Sequence, residues 1–380
     1  MQTSTRARAL AVSAVFLGAT LLSIAAFAAR GARAGDGFDF LRWEVAAFPN
    51  KWIDRLGAPL RDDPDPDDAL RRYFALDDRN SEEGRALENE VESVIEGRVD
   101  AVLRDLGLGW PFLPLGVWPP VDGELAGSPR ILVVSPRDRI ARLDTDTLRP
   151  DLTREEAEAL EQAVEERHED RSALVVGTGG LSLFPAVISN RDGYEGTVDT
   201  VAHEWTHHYL SVFPLGREYF RSDDTRTINE TVADLVGSEV ARIVLERWPL
   251  EPTAPATPTR APTATASPPA APALDFDATM RDLRAEVDAL LAAGRIEEAE
   301  RRMEEVRVQL NDGGYAVRRI NQAYFAWYGT YAARGDSIDP LGGQLRDLRD
   351  RSGSLGRFLE TVRDATSRDE VAALLASLSE

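Results

Sequence analysis

Thr197-Val198-Asp199-Thr200-Val201-Ala202-His203-Glu204-Trp205-Thr206-His207-His208-Tyr209 is the stretch from which the rest of the chain is read. Side chains four apart on a helix sit one above the other, so His203 and His207 present two imidazoles to one point. Val198, Val201, Ala202, Trp205 and Tyr209 fall on a neighbouring stripe, which predicts a half-buried helix over about 197–211. Glu204 adjoins His203 and is angled toward the same point. A second stretch, Asn229-Glu230-Thr231-Val232-Ala233-Asp234, places Glu230 23 residues beyond His207, within a helix expected over about 227–247. Glu230 and Asp234 again share one helical face.

The residue types narrow the chemistry. The chain has no cysteine, which excludes disulfides, thiolate metal sites, iron–sulfur clusters and a cysteine nucleophile. A metal must therefore be held by histidines and carboxylates. There are 4 histidines, His168, His203, His207 and His208, and three of them fall in the first stretch. A catalytic zinc takes three protein ligands and keeps one position open. His203, His207 and Glu230 are the expected ligands of a Zn2+ ion, and Glu204 is the expected general base, placed to take a proton from water. Asp234 is expected to bond the free ring nitrogen of a ligating histidine, and Asn229 to buttress the same shell. His208 reads as a neighbouring surface residue and His168 as solvent-facing. The bland alternative is a pair of polar helices held together by hydrogen bonds.

The pairing of HExxH at His203–His207 with NExxxD at Asn229–Asp234 is similar to the gluzincin metallopeptidases, the thermolysin-like group. The resemblance covers roughly residues 173–245, under a quarter of the chain. It implies a zincin-like fold in which His203, His207 and Glu230 bind zinc, Glu204 is the base and Asp234 supports a ligand. It also implies a sheet before the active-site helix whose edge strand pairs with extended substrate. Leu181–Ser189 is the candidate edge, and the turn at Gly179-Gly180 would let a substrate backbone approach closely. Two features depart from the group. No histidine follows His208 to stabilise an oxyanion, so Tyr324 or Tyr328 are the candidates, against an aromatic-core reading of both. The GxMEN motif of the large aminopeptidases is also lacking, which leaves exo- or endopeptidase action open.

Around this centre the chain divides by composition. Arg6 and Arg8 precede an uncharged run over 9–29, long enough at about 1.5 Å per residue to span a bilayer core of roughly 30 Å. Residues 1–34 therefore read as an anchor, or as a signal cleaved near Ala32-Arg33-Ala34, and either way the remainder is exported to the extracytoplasmic side. Residues 35–128 read as mainly helical, with Leu41, Val45, Phe48, Trp52, Ile53 and Leu56 recurring, a solvated acidic loop over 62–68 and a helix over 81–106. Residues 129–250 hold the zincin-like domain, with strands at 131–134, 173–176 and 181–189 and a helix over 153–167 capped by Thr153 and Glu156. Residues 251–274 are almost entirely Pro, Thr and Ala and read as a disordered linker. Residues 275–380 read as a helical domain: a hairpin around Gly294, then helices over 315–333 and 341–378. In it Arg318 and Arg319 are either contacts for a substrate carboxylate or a solvated face. The fold class is α+β. A net charge of −21 argues against nucleic acid as a partner. The function expected is a membrane-tethered or exported zinc peptidase acting on peptide or protein substrate; the alternative is a zincin-fold surface scaffold that cleaves nothing.

Overall fold

The computed structural model describes residues 37–38, 66–109, 116–250 and 274–378. The apolar run 9–29, the aromatic segment 41–56 and residues 251–273 of the Pro/Thr/Ala-rich stretch lie outside them. Helices α1 (Pro66–Ala75) and α2 (Glu82–Leu103) lead to strands β1 (Gly123–Ala126), β2 (Arg130–Pro136) and β3 (Asp144–Leu148). Then come α3 (Arg154–Arg167), β4 (Arg171–Gly177), β5 (Gly180–Leu181), β6 (Ala186–Ser189) and α4 (Tyr194–Leu210). A short α5 (Pro214–Arg217) and the long α6 (Asp223–Arg247) follow, and then α7 (Phe276–Ala292), α8 (Ile296–Asp312) and α9 (Gln322–Tyr328). The chain closes with α10 (Pro340–Arg351), α11 (Leu355–Val362) and α12 (Arg368–Ser377). The class is α+β, as expected.

Period-2 alternation explains the first sheet, in the order β3-β2-β4, antiparallel throughout. Ile131 and Val133 of β2, with Leu174 and Val176 of β4, face α7, α8 and α9 in one hydrophobic cluster. Leu132, Ala173 and Val175 face the other way, onto Ala157 and Val164 of α3. Both faces are covered, so the residues on both are apolar. Thr153 caps α3 through a reciprocal pair with Glu156, as its sequence predicts.

The second sheet runs β1-β6-β5, with β1 parallel and β5 antiparallel to β6. Its residues Leu125, Ala186 and Ile188 pack on Val198, Val201 and Ala202 of α4, inside the largest cluster, which also holds α1, α2, α6 and α10–α12. Three expectations are corrected here. The strand over 181–189 is two strands, interrupted at Phe184-Pro185, where proline has no N–H to give a ladder; the edge is β5, while β6 is central. The acidic loop over 62–68 ends in helix, because α1 starts at Pro66 with Asp67 and Asp68 in its first turn, where acidic side chains suit the helix dipole. The helix over 315–333 contracts to α9, since Asn321 caps it and the flanking segments bond to other elements instead. Residues 276–328 join the first sheet's cluster, whereas 340–377 pack into the largest one. Among the described residues no helix is long and apolar enough to cross a membrane.

Candidate metal centre

Helices α4 and α6 approach so closely that a Cβ on Gly237 would lie 2.9 Å from the Asp199 carbonyl oxygen. That contact sets the two motif stretches face to face. His203 Nε2 and His207 Nε2 are 3.0 Å apart, and Glu230 Oε2 lies 3.5 Å from the first and 3.7 Å from the second. Glu230 is 7% exposed and Glu204 5%, while the two imidazoles keep a narrow window to solvent.

The ring orientations are fixed from α6. Asn229 Nδ2 donates to the Leu215 carbonyl, so its Oδ1 is the atom turned to His207 Nδ1, at 2.7 Å. His207 must then carry its proton on Nδ1, leaving the Nε2 lone pair directed at the centre. His203 Nδ1 stands 3.4 Å from Asp234 Oδ1, an arrangement of the same sense. In the metal-free site the 3.0 Å contact between the two Nε2 atoms is a hydrogen bond that holds one proton, and a bound cation would take that proton's place beside the Glu230 carboxylate. The three ligand atoms all lie within 4.8 Å of one another. A tetrahedral zinc with ligands at about 2.05 Å separates them by about 3.3 Å, close to the spacings here. The donor set and its geometry fit zinc.

The electrostatics follow from burial. Burial opposes charge on His203, but bonds to Asp234 and Glu230 outweigh it and hold the metal-free imidazole well above its usual range. Burial also works against ionisation of Glu230, yet His207 and His203 hold it well below the usual carboxylate range. For Glu204 burial prevails over the attraction of the two histidines and raises its pKa. Glu204 packs against β5: a Cβ at Gly180 would lie 2.5 Å from Glu204 Oε1 and 2.8 Å from the Val187 carbonyl oxygen. The glycine expected to admit a substrate backbone thus admits Glu204 itself.

His203, Glu204, His207, Asn229, Glu230 and Asp234 are therefore brought together. Tyr324 is placed elsewhere, 9% exposed in the cluster of α7–α9 and ringed by Phe325 and Tyr328, with burial raising its pKa. The tyrosines at the centre are two that sequence reading passed over. Tyr219 donates its hydroxyl to Glu230 Oε1, which leaves Oε2 for the histidine pair. The Tyr331 ring lies 6.4 Å from that of His203, and burial first, then the Glu230 charge, pushes its pKa far up. Thr231 holds this segment, accepting from Ala332 N–H at 3.0 Å and donating to the Thr330 carbonyl at 3.4 Å. His208 is less open than expected: its Nε2 meets the Leu183 carbonyl at 2.6 Å, and burial lowers its pKa to about 4. His168 is exposed at the end of α3. Arg318 and Arg319 are bonded to Glu161 and Glu165 of α3 rather than standing free.

No protein-family model, no curated protein and no solved structure matches the chain. The functional reading rests on the site alone.

Proposed function

We propose that the chain is a zinc-dependent peptidase of the gluzincin kind. The observation that carries this is the paired orientation of His203 and His207 by Asp234 and Asn229, which turns both Nε2 atoms onto Glu230 Oε2. Zinc in this position would supply Lewis acidity and a water of lowered pKa. The chain's own residues do the rest. Glu204 accepts the proton of the attacking water, and its buried, raised pKa brings it nearer the operating pH, where a general base is most effective. It then returns the proton to the leaving amine. Tyr219 holds Glu230 in register. The Tyr331 hydroxyl has no hydrogen-bond partner among the described residues, and with its ring 6.4 Å from that of His203 it is the candidate donor to an oxyanion. The two-residue edge β5, against Glu204, offers backbone groups to an extended peptide. In this reading the run over 9–29 tethers or exports the enzyme.

The test is bound metal and cleavage of a mixed peptide library by the purified protein and two variants. About one zinc per chain is expected in the wild type. Glu230→Ala should lose the metal, and Glu204→Gln should keep it while cutting nothing. A wild type without metal overturns the site; zinc without cleavage favours the surface scaffold.

A further inference from the structure

Arg142 lies in the β2–β3 turn, a segment anchored from below. Arg137 makes two bonds to Glu300 of α8, at 2.7 and 2.6 Å, and Gln322 of α9 donates to the Arg137 carbonyl at 2.8 Å. Arg142 itself is half-buried, stacked 4.6 Å above the Trp327 ring centroid. Its one protein hydrogen bond among the described residues is from Nη2 to Thr330 Oγ1, at 3.2 Å. Nε is shut off from solvent and donates to nothing. No described carboxylate lies within ion-pair distance. The neighbouring arginines differ: Arg226 pairs with Asp223, Arg334 with Asp336, and Arg368 with Asp339 and Asp224.

Thr330 ties the guanidinium to the candidate centre: its carbonyl accepts from Thr231, next to Glu230, and the ring of its neighbour Tyr331 lies 6.4 Å from that of His203. Arg142 also lines a cavity of about 210 Å3, together with Thr227, Phe325, Ala326, Tyr328 and Thr330 among others. Asp223, Asp336 and Asp339 also line it, but each is neutralised by the arginines just named. A half-buried guanidinium whose Nε–H is shut off from solvent and unbonded, with no described carboxylate beside it, favours an anionic ligand. The planar guanidinium fork matches a carboxylate. Ligand pockets for larger molecules run to about 300–1,000 Å3, so this space suits one residue rather than a long segment.

We infer that Arg142 binds a carboxylate of the peptide substrate, with the adjoining residue seated in the cavity under Tyr328 and Thr330. The carboxylate comes from the chain terminus or from an Asp or Glu side chain next to the scissile bond. This deepens the peptidase reading and rests on it.

The test uses zinc-loaded Glu204→Gln protein, which leaves substrate uncut, with and without Arg142→Gln. Calorimetric titration compares acetyl-tetra-alanine with its C-terminal amide, and the amide with a copy carrying one internal glutamate. Zinc content and melting temperature check that Arg142→Gln remains folded. The expected result is that at least one carboxylate peptide binds about 10–100-fold more tightly than the plain amide, and that Arg142→Gln abolishes the difference. Preference for the acid terminus assigns the terminal source, and preference for the internal glutamate assigns the side chain. Equal binding of all three peptides, no binding by any, or a preference that survives Arg142→Gln overturns the proposal. Wild-type cleavage separates the two failures. Peptides cut without regard to carboxylate sink Arg142 and leave the peptidase standing. A carboxylate preference lost with Arg142, in a protein that cuts nothing, does the reverse.

Discussion

Asn229 shows how one amide decides the chemistry of a neighbour. With Nδ2 engaged by the Leu215 carbonyl, it has only an acceptor to offer, and His207 must answer with Nδ1–H. Replacing it with alanine leaves a buried carbonyl and a ring N–H without partners, and frees the imidazole to rotate. Asn229→Ala is expected to weaken zinc binding about 10–100-fold with the fold retained, measured by competition with a chromogenic chelator. Asp234→Asn should cost less, because its contact to His203 is longer, 3.4 against 2.7 Å, and its side chain is 28% exposed. An Asp234→Asn loss larger than that of Asn229→Ala would reverse this ranking. Both residues were legible in the sequence, Asp234 from its helical spacing to Glu230 and Asn229 as the residue next to that candidate ligand. Tyr219, Tyr331 and Arg142 were not, because each sits in an irregular segment where no period says which way a side chain faces. Tyr324 drew attention through its aromatic neighbours, and those neighbours turn out to be its packing partners.

Between helices the decisive feature is Gly237, the point where α4 and α6 touch. A methyl there meets the Asp199 carbonyl and carboxylate oxygens, both 2.9 Å away; the carboxylate can turn aside, but the carbonyl cannot retreat while α4 stays helical. Gly237→Ala should therefore destabilise the protein by about 1–3 kcal/mol in urea unfolding, despite alanine's better helix propensity, and weaken zinc binding by spreading the ligands. A stabilised variant would refute the close contact. A second junction, at Asp339, is electrostatic. Asp339 caps α10 through the Leu341 N–H and takes both ends of Arg368 of α12, at 2.6 and 2.7 Å, while Arg368 also reaches Asp224 of α6 at 2.7 Å. Burial opposes ionisation of Asp339, but the Arg368 bonds prevail and lower its pKa. Its folded pKa is thus below the unfolded value of about 3.9, so its stabilisation is complete above that pH and fades as pH falls through the folded pKa. Asp339→Asn should be less stable than wild type at pH 7, with the gap closing below about pH 4 in chemical denaturation. A gap constant with pH would mean that the cap, not the charge, carries the effect. At this scale the strongly patterned elements were the legible ones, such as α3 with its capping pair and β2 with its β-branched run. Strand β1 was too short to show a period, and β3, Asp144–Leu148, has the polar composition of a loop and becomes a strand only by pairing with β2.

For the molecule as a whole, the centre ties together parts that are distant in sequence. His203 and His207 belong to α4 and Glu230 to α6, both in the largest hydrophobic cluster. Helix α6 is bonded onward to α10 through Glu239 and Arg349, at 2.6 and 2.7 Å, and to α12 through Asp224 and Arg368. Thr231, next to Glu230, fastens the segment after α9, whose other end packs on the first sheet. This long-range assembly was beyond the sequence, which shows periods within elements but not which cluster each half of residues 275–380 joins. An ion held by both helices binds the folded state and not the unfolded one, so it stabilises the fold by mass action. Free zinc at 100 times its dissociation constant should add about 2.7 kcal/mol, which for a chain of this size raises the melting temperature by several degrees. Scanning calorimetry with zinc and with a chelator measures the shift. Glu204→Gln should show it in full, because Glu204 faces the centre without ligating. Glu230→Ala should show little, because two imidazoles on one helix no longer bridge α4 to α6. Equal shifts in Glu230→Ala and wild type would place the ion elsewhere, and the assignment of Glu230 as a ligand would fall with it.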